Sequence, residues 1–193
     1  MTDFLLASRS PRRVALLRAQ AYRFETVPAD LQEVAAPDQS PVDFARCIAL
    51  AKAQAVQDQT RTRMPVLGAD TDVSIDGRIL GKPADLNQAR QMLGALANRE
   101  HLVVSAVAVI HGAVKRICHT ETKVRLAPIS LSEIDAYWAS GEPADKAGAY
   151  AIQGRAARWV ISIDGSYSGV VGLPLFETCR LLSEFNVFSR EST

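Results

Sequence analysis

Five short stretches of the sequence carry side chains that packing alone does not require. Leu6-Ala7-Ser8-Arg9-Ser10-Pro11-Arg12-Arg13 gathers two hydroxyls, adjacent arginines and the free backbone N–H groups of a helix start at one corner, which is the make-up of an anion site. Arg12 and Arg13 oppose the helix dipole there and lower local stability unless an anion offsets them. Solvated surface arginines are the plain alternative. Lys52 belongs to the helical stretch that opens at Ser40-Pro41. At about 100° per residue it falls about 180° from Asp43. That takes it off the polar arc of Arg46, Gln54, Gln57 and Asp58 and onto the apolar face of Phe44, Ile48 and Ala55. A lysine so placed either snorkels to solvent or projects its ammonium into a cleft that holds a negative partner.

Gly68-Ala69-Asp70-Thr71-Asp72 sets a carboxylate pair at the end of an apolar run, where open α/β sheets tend to place ligands. Asp70 is the first candidate for chemistry. Carboxylate oxygens suit Mg²⁺, and an activated water is what phosphoanhydride hydrolysis needs; a plain turn bearing two acids is the other reading. Leu80-Gly81-Lys82-Pro83-Ala84-Asp85 adds a cation. The Walker spacing G-x-x-x-x-G-K-[ST] is absent and Pro83 stands where a hydroxyl would be, which excludes a P-loop. In Asp145 to Gly154, flanked downstream by Gly169 to Leu175, small residues let a flat ligand approach the backbone, and Gln153 offers a donor and an acceptor to a base edge.

The elements that must position these residues alternate in period, which predicts a mixed α/β fold. Strands are expected at Phe4 to Ala7, at Pro65 to Ala69 ending at Asp70, at His101 to Ile110 and Val114 to Leu126 as a long antiparallel pair, and at Trp159 to Ile163. Asp76-Gly77 predicts a hairpin joining Val73–Ile75 to Ile79-Leu80. Helices are expected from Ser10-Pro11, Ser40-Pro41, Leu86, the capping box Ser130 to Glu133, and Leu173-Pro174.

The 193 residues fit one domain, 1–193, below the ~250 to 300 residues at which single cores divide. Lys+Arg number 22 and Asp+Glu 21, a net charge of +1, so no global field favours nucleic acid or an anionic membrane. A hydrophobic content of 48% supplies a packed interior. Nowhere do ~18 apolar residues run together, and the apolar run in Met1 to Ser8 lacks the length and basic start of a signal segment. A cytoplasmic protein without a membrane span is expected. Cys47, Cys118 and Cys179 have no metal-binding or disulfide spacing, and the three histidines read as structural.

Taken together, the motifs Leu6-Ala7-Ser8-x-Ser10-Pro11-Arg12-Arg13, Gly68-Ala69-Asp70-Thr71, Leu80-Gly81-Lys82-Pro83-x-Asp85, Lys146-Ala147-Gly148-Ala149-Tyr150-x-Ile152-Gln153-Gly154 and Val171-Gly172-Leu173-Pro174-Leu175 resemble the Maf family of nucleoside triphosphate pyrophosphatases, also called septum-formation proteins. The resemblance spans nearly the whole chain. It implies a strongly curved mixed sheet flanked by helices around a central cleft, similar to inosine triphosphate pyrophosphatases, and a homodimer. It implies cleavage between the α- and β-phosphates with a divalent cation, Mg²⁺ or Mn²⁺. Asp70 matches the proton acceptor, and Glu33 matches an acid that helps hold the metal together with Asp70. Ser8, Arg13, Lys52 and Lys82 match groups around the triphosphate. Arg12, Thr71 and Gln153 match the branch that cleaves dTTP and UTP rather than the branch acting on 7-methyl-GTP. A nucleotide-binding regulator of cell division is the alternative from another class.

Overall fold

Serine and aspartate side chains start the helices. In the computed structural model, which describes residues 2–36 and 39–190, Ser10 accepts from Arg13 N–H with Pro11 following it. Ser40 and Pro41 repeat the arrangement, and Asp85 accepts from Gln88 N–H at 2.8 Å. The capping box at Ser130 and Glu133 is complete. The elements run β1 (Phe4–Ala7), α1 (Pro11–Ala19), β2 (Phe24–Thr26), α2 (Pro41–Thr60), β3 (Val66–Ile75), β4 (Arg78–Leu80), α3 (Leu86–Leu96), β5 (Glu100–His111), β6 (Val114–Leu126), α4 (Leu131–Trp138), β7 (Val160–Asp164), α5 (Tyr167–Val171) and α6 (Leu175–Ser183). The class is mixed α/β, as the alternating periods predict.

The strands form one sheet in the order β2-β1-β3-β5-β6-β7, with β4 also on β3. Pairing is parallel where β1 meets β2 and β3, and antiparallel elsewhere. One expectation is corrected here: the apolar strand does not end at Asp70 but runs on to Ile75. Its backbone is paired with β5 from Val66 to Ser74, which carries the two acids into the middle of a strand. β2 and α5 are additions; three residues are too few to show a period, and α5 rests on a Ser166 cap to Gly169 N–H at 3.0 Å.

The other edge of β3 is divided. β1 pairs with Val66 to Gly68 and β4 with Val73 to Ile75, so Ala69 to Asp72 have a strand partner only on the β5 side. The two neighbours approach this gap from opposite ends. β1 runs parallel to β3 and delivers Ser8 to it, while β4 runs back along β3 and delivers Gly81 and Lys82.

Helices cover both faces. On one face Leu17, Leu173, Leu181 and Leu182 pack with Phe4, Leu6, Leu67, Ala69, Val107 and Val109. On the other, α2 lies against the sheet through Ala45 and Ala49, facing Val104, Ala106 and Ala108, and through Ala53 and Val56. The approach is closest at Gly68, where a Cβ would sit 2.1 Å from the Ala49 carbonyl oxygen and 2.8 Å from Ala53 N. A third cluster packs α3 and α4 against the far end of β3, β5 and β6. The three cysteines are free thiols, and burial pushes Cys118 up to about 11. His101 is buried against the Tyr150 hydroxyl, with Nε2 2.8 Å away, and burial pulls its pKa down to about 4.

The atoms that meet a Cβ at position 68 are backbone and cannot swing aside. Gly68→Ala is therefore expected to cost about 1 to 3 kcal/mol, read as a lower urea midpoint with an unchanged slope.

Candidate active site

The corner after β1 is wired before any ligand arrives. Ser8 Oγ accepts from Ser10 N–H at 3.1 Å and from Arg13 Nη1 at 3.4 Å, so its own proton is unspent. Arg13 is buried; its Nε donates to the Gly172 carbonyl at 2.8 Å and its Nη2 to Thr71 Oγ1 at 3.4 Å. Arg12 Nε donates to the neighbouring Val171 carbonyl at 3.3 Å. The end of α5 thus anchors both arginines. Burial lowers the Arg13 pKa and the Asp70 charge counters it; a guanidinium remains protonated regardless.

Lys52 reaches the cleft from the apolar side of α2, as its helical phase predicts. It is buried, and Nζ lies 2.7 Å from Asp70 Oδ1 and 2.7 Å from Glu33 Oε1. Burial alone would raise the Glu33 carboxyl. The Lys52 hydrogen bond and charge, with Lys82 and Arg13 beyond, outweigh it and hold the group below the usual carboxylate range. Asp72 goes the other way: burial, then the charge and hydrogen bond of Asp70, then Glu33, push it up to about 8 against the pull of Lys52.

Thr71 points to the opposite face of β3 from Asp70 and Asp72. Its hydroxyl lies 3.2 Å from the Gly172 carbonyl and 2.9 Å from Ser105 Oγ, and Ser105 donates to the Gly169 carbonyl at 2.6 Å. Both faces of β3 contribute because the divided edge lets the cleft pass around the strand.

The resulting cavity has a volume of about 860 Å³, inside the range of small-molecule sites. All nine residues singled out from the sequence line it: Ser8, Arg12, Arg13, Glu33, Lys52, Asp70, Thr71, Lys82 and Gln153. Asp145 and Lys146 line it too, as an ion pair. Among the described residues, Arg12, Arg13 and Lys82 make no ion pair. Arg13 is buried, Arg12 half-buried and Lys82 exposed; a buried or half-buried cation without a counterion is costly, so the two arginines prepare the cavity for a polyanion. Ser105 escapes sequence reasoning; the one signal for it is a hydroxyl inside the apolar run Val103 to Val107.

The donors near Asp70 fit a hard divalent cation. They are carboxylate oxygens only, and Asp72 Oδ2 is buried without a hydrogen-bond partner. Among the described residues no group of three His, Cys, Asp or Glu is arranged to hold a metal ion.

A family model for Maf-like proteins matches residues 3–185. The chain belongs to the Maf family. It is 49% identical to a dTTP/UTP pyrophosphatase of Nitrosomonas europaea, covering 94% of each chain. It is 47% identical to one of Symbiobacterium thermophilum over 96% of this chain and 95% of that one, and 43% identical to one of Vibrio parahaemolyticus over 95% and 97%. Among solved structures, a dITP/XTP pyrophosphatase of Mycobacterium abscessus overlaps 65% of this Maf chain and 75% of its own, at 20% identity and a TM-score of 0.45. No described helix is long and apolar enough to cross a membrane.

Asp72 makes the fold pH-sensitive. An unfolded aspartate titrates at about 4 and the folded one at about 8, so between these values the folded state binds the proton more tightly and stability falls as pH rises. Asp72→Asn removes that loss. Thermal melts in chelator-treated buffer should show the variant gaining on the parent from about pH 5 to about pH 8; a constant difference would mean that Asp72 is ionised throughout.

Proposed function

We propose that this chain hydrolyses dTTP and UTP between the α- and β-phosphates, releasing the nucleoside monophosphate and pyrophosphate. One observation carries the reading: the Lys52-paired Asp70 shares a nucleotide-sized cavity with Arg12, Arg13 and Lys82, three cations without described counterions, in a chain 43% to 49% identical to proteins named dTTP/UTP pyrophosphatase.

The roles follow from position. Arg12, Arg13, Lys82, the Ser8 hydroxyl and the N–H groups that open α1 bind the triphosphate and neutralise charge that builds up as the anhydride breaks. Asp70 accepts the proton of the attacking water. Lys52 orients Asp70 and, by spanning to Glu33, ties the segment before α2 to the sheet. Glu33 and Asp70 would hold the divalent cation, Mg²⁺ or Mn²⁺, which when bound polarises phosphate oxygens. Gln153 reads the base and selects the pyrimidine, while Thr71, the other residue that matches the pyrimidine branch, acts from beside Arg13, to which its hydroxyl is bonded. The homodimer that the family resemblance implies and the cytoplasmic location expected from the sequence complete the reading.

Two measurements test the reading. Asp70→Asn is expected to lower kcat on dTTP by about 10² or more with the far-UV spectrum unchanged, whereas parental turnover would remove Asp70 from the mechanism. A panel of dTTP, UTP, GTP and 7-methyl-GTP with pyrophosphate detection should give the highest kcat/KM for the two pyrimidines; preference for either guanine nucleotide would reassign the base pocket.

A further inference from the structure

Gln153 is exposed, in an arch without regular structure between Ala151 and Arg155, and a side chain on a free arch would discriminate poorly. The arch is not free. Tyr137, in the last turn of α4, accepts from Ala151 N–H at 3.1 Å and donates to Glu142 Oε1 at 2.7 Å. Glu142 in turn accepts from Arg155 N–H, at 3.0 Å to Oε1 and 3.2 Å to Oε2. The two backbone N–H groups flanking Gln153 are thus tied to one tyrosine–glutamate pair. Between them Gly154 N–H donates to the Ala151 carbonyl at 3.1 Å and closes the turn.

The carboxylate also explains the residue after Gln153. A Cβ at Gly154 would lie 1.9 Å from Glu142 Oε1 and 2.3 Å from Cδ, so only glycine lets Glu142 seat against the arch. Tyr137 and Glu142 do not themselves line the cavity. Tyr137 is fixed by burial and by an edge-on contact with Trp159, ring centroids 5.2 Å apart, and therefore transmits the rigidity of α4 to the arch.

Building on the reading of Gln153 as a base contact, we propose that Glu142, held by Tyr137, is a positioning residue for nucleobase selection. The nucleotide never touches it. Its bonds to Arg155 N–H are charge-assisted and stronger than neutral ones. Without them the arch must be ordered by the incoming base, and the loss falls on binding of nucleotides that Gln153 reads.

The test compares Glu142→Ala, Glu142→Gln and Gln153→Ala for hydrolysis of dTTP and GTP, with inorganic tripolyphosphate as a competitive inhibitor that has no base. Glu142→Ala is expected to raise KM for dTTP about tenfold, to narrow the dTTP-to-GTP ratio of kcat/KM, and to leave the tripolyphosphate inhibition constant unchanged. Glu142→Gln keeps a carbonyl oxygen for Arg155 N–H and should restore the ratio. Gln153→Ala should narrow the ratio equally, and the double variant should narrow it no further. If Gln153→Ala narrows the ratio and Glu142→Ala does not, the positioning role is wrong while the base reading stands. If tripolyphosphate binding weakens alongside dTTP in Glu142→Ala, the residue is a general support and the proposal is likewise overturned. If Gln153→Ala leaves the ratio intact, the base reading itself fails and takes the proposal with it. Should Glu142→Ala not fold, Gly154→Ala displaces the arch from the other side and must narrow the ratio in the same way.

Discussion

The site depends on an interruption in strand pairing. β3 is fully paired with β5 along one edge, while its other edge is shared by two strands that do not meet. A continuous neighbour would have satisfied the edge and buried Asp70, Thr71 and Asp72 against a helix on either face. The gap instead leaves these side chains reachable while the β5 ladder holds their backbone. It also turns two chain reversals toward one cavity, which a serine after β1 and a lysine after β4 line without any long loop. Position is set by sheet geometry, which is stiffer than loop geometry.

Charge is arranged on this frame in a graded way. Lys52 binds two carboxylates at once, and Asp72, two residues beyond Asp70, has its pKa pushed up by burial and by the neighbouring acids, which Lys52 only partly offsets. On the other side of β3, Arg13 is buried and its hydrogen bonds all go to neutral oxygens, of Ser8, Thr71 and Gly172. Negative charge is thus concentrated beside one face and positive charge beside the other. A phosphate chain lying through the gap meets both. The free protein bears the desolvation cost of that separation, and binding of a polyanion relieves it.

Much of this was legible in the residues themselves. The helix starts followed from Ser-Pro pairs and the capping box, and the inward turn of Lys52 followed from its phase opposite Asp43. The extent of β3 was not legible, because two aspartates in an apolar run read as the end of a strand unless one knows that a gap lies beside them. That gap is a property of three strands distant in sequence. Ser105 and Glu142 stayed hidden for a related reason: each acts through another residue, Thr71 in one case and the Gln153 arch in the other, and nothing local marks such a partner. The short α5, which anchors both arginines, carries Tyr-Ser-Gly-Val-Val, residues with no helical preference.

The contact at Gly68 divides the molecule mechanically. Because α2 touches the strand backbone there, the lysine and its acid are locked to each other with almost no slack, and small changes anywhere along that seam propagate to both. The opposite end of the hollow hangs on loops and one tyrosine. An engineer wishing to retarget the catalyst toward another heterocycle would therefore change the side chain that the arch carries at Gln153, and leave alone both the seam beneath the helix and the tyrosine–glutamate pair that holds the arch.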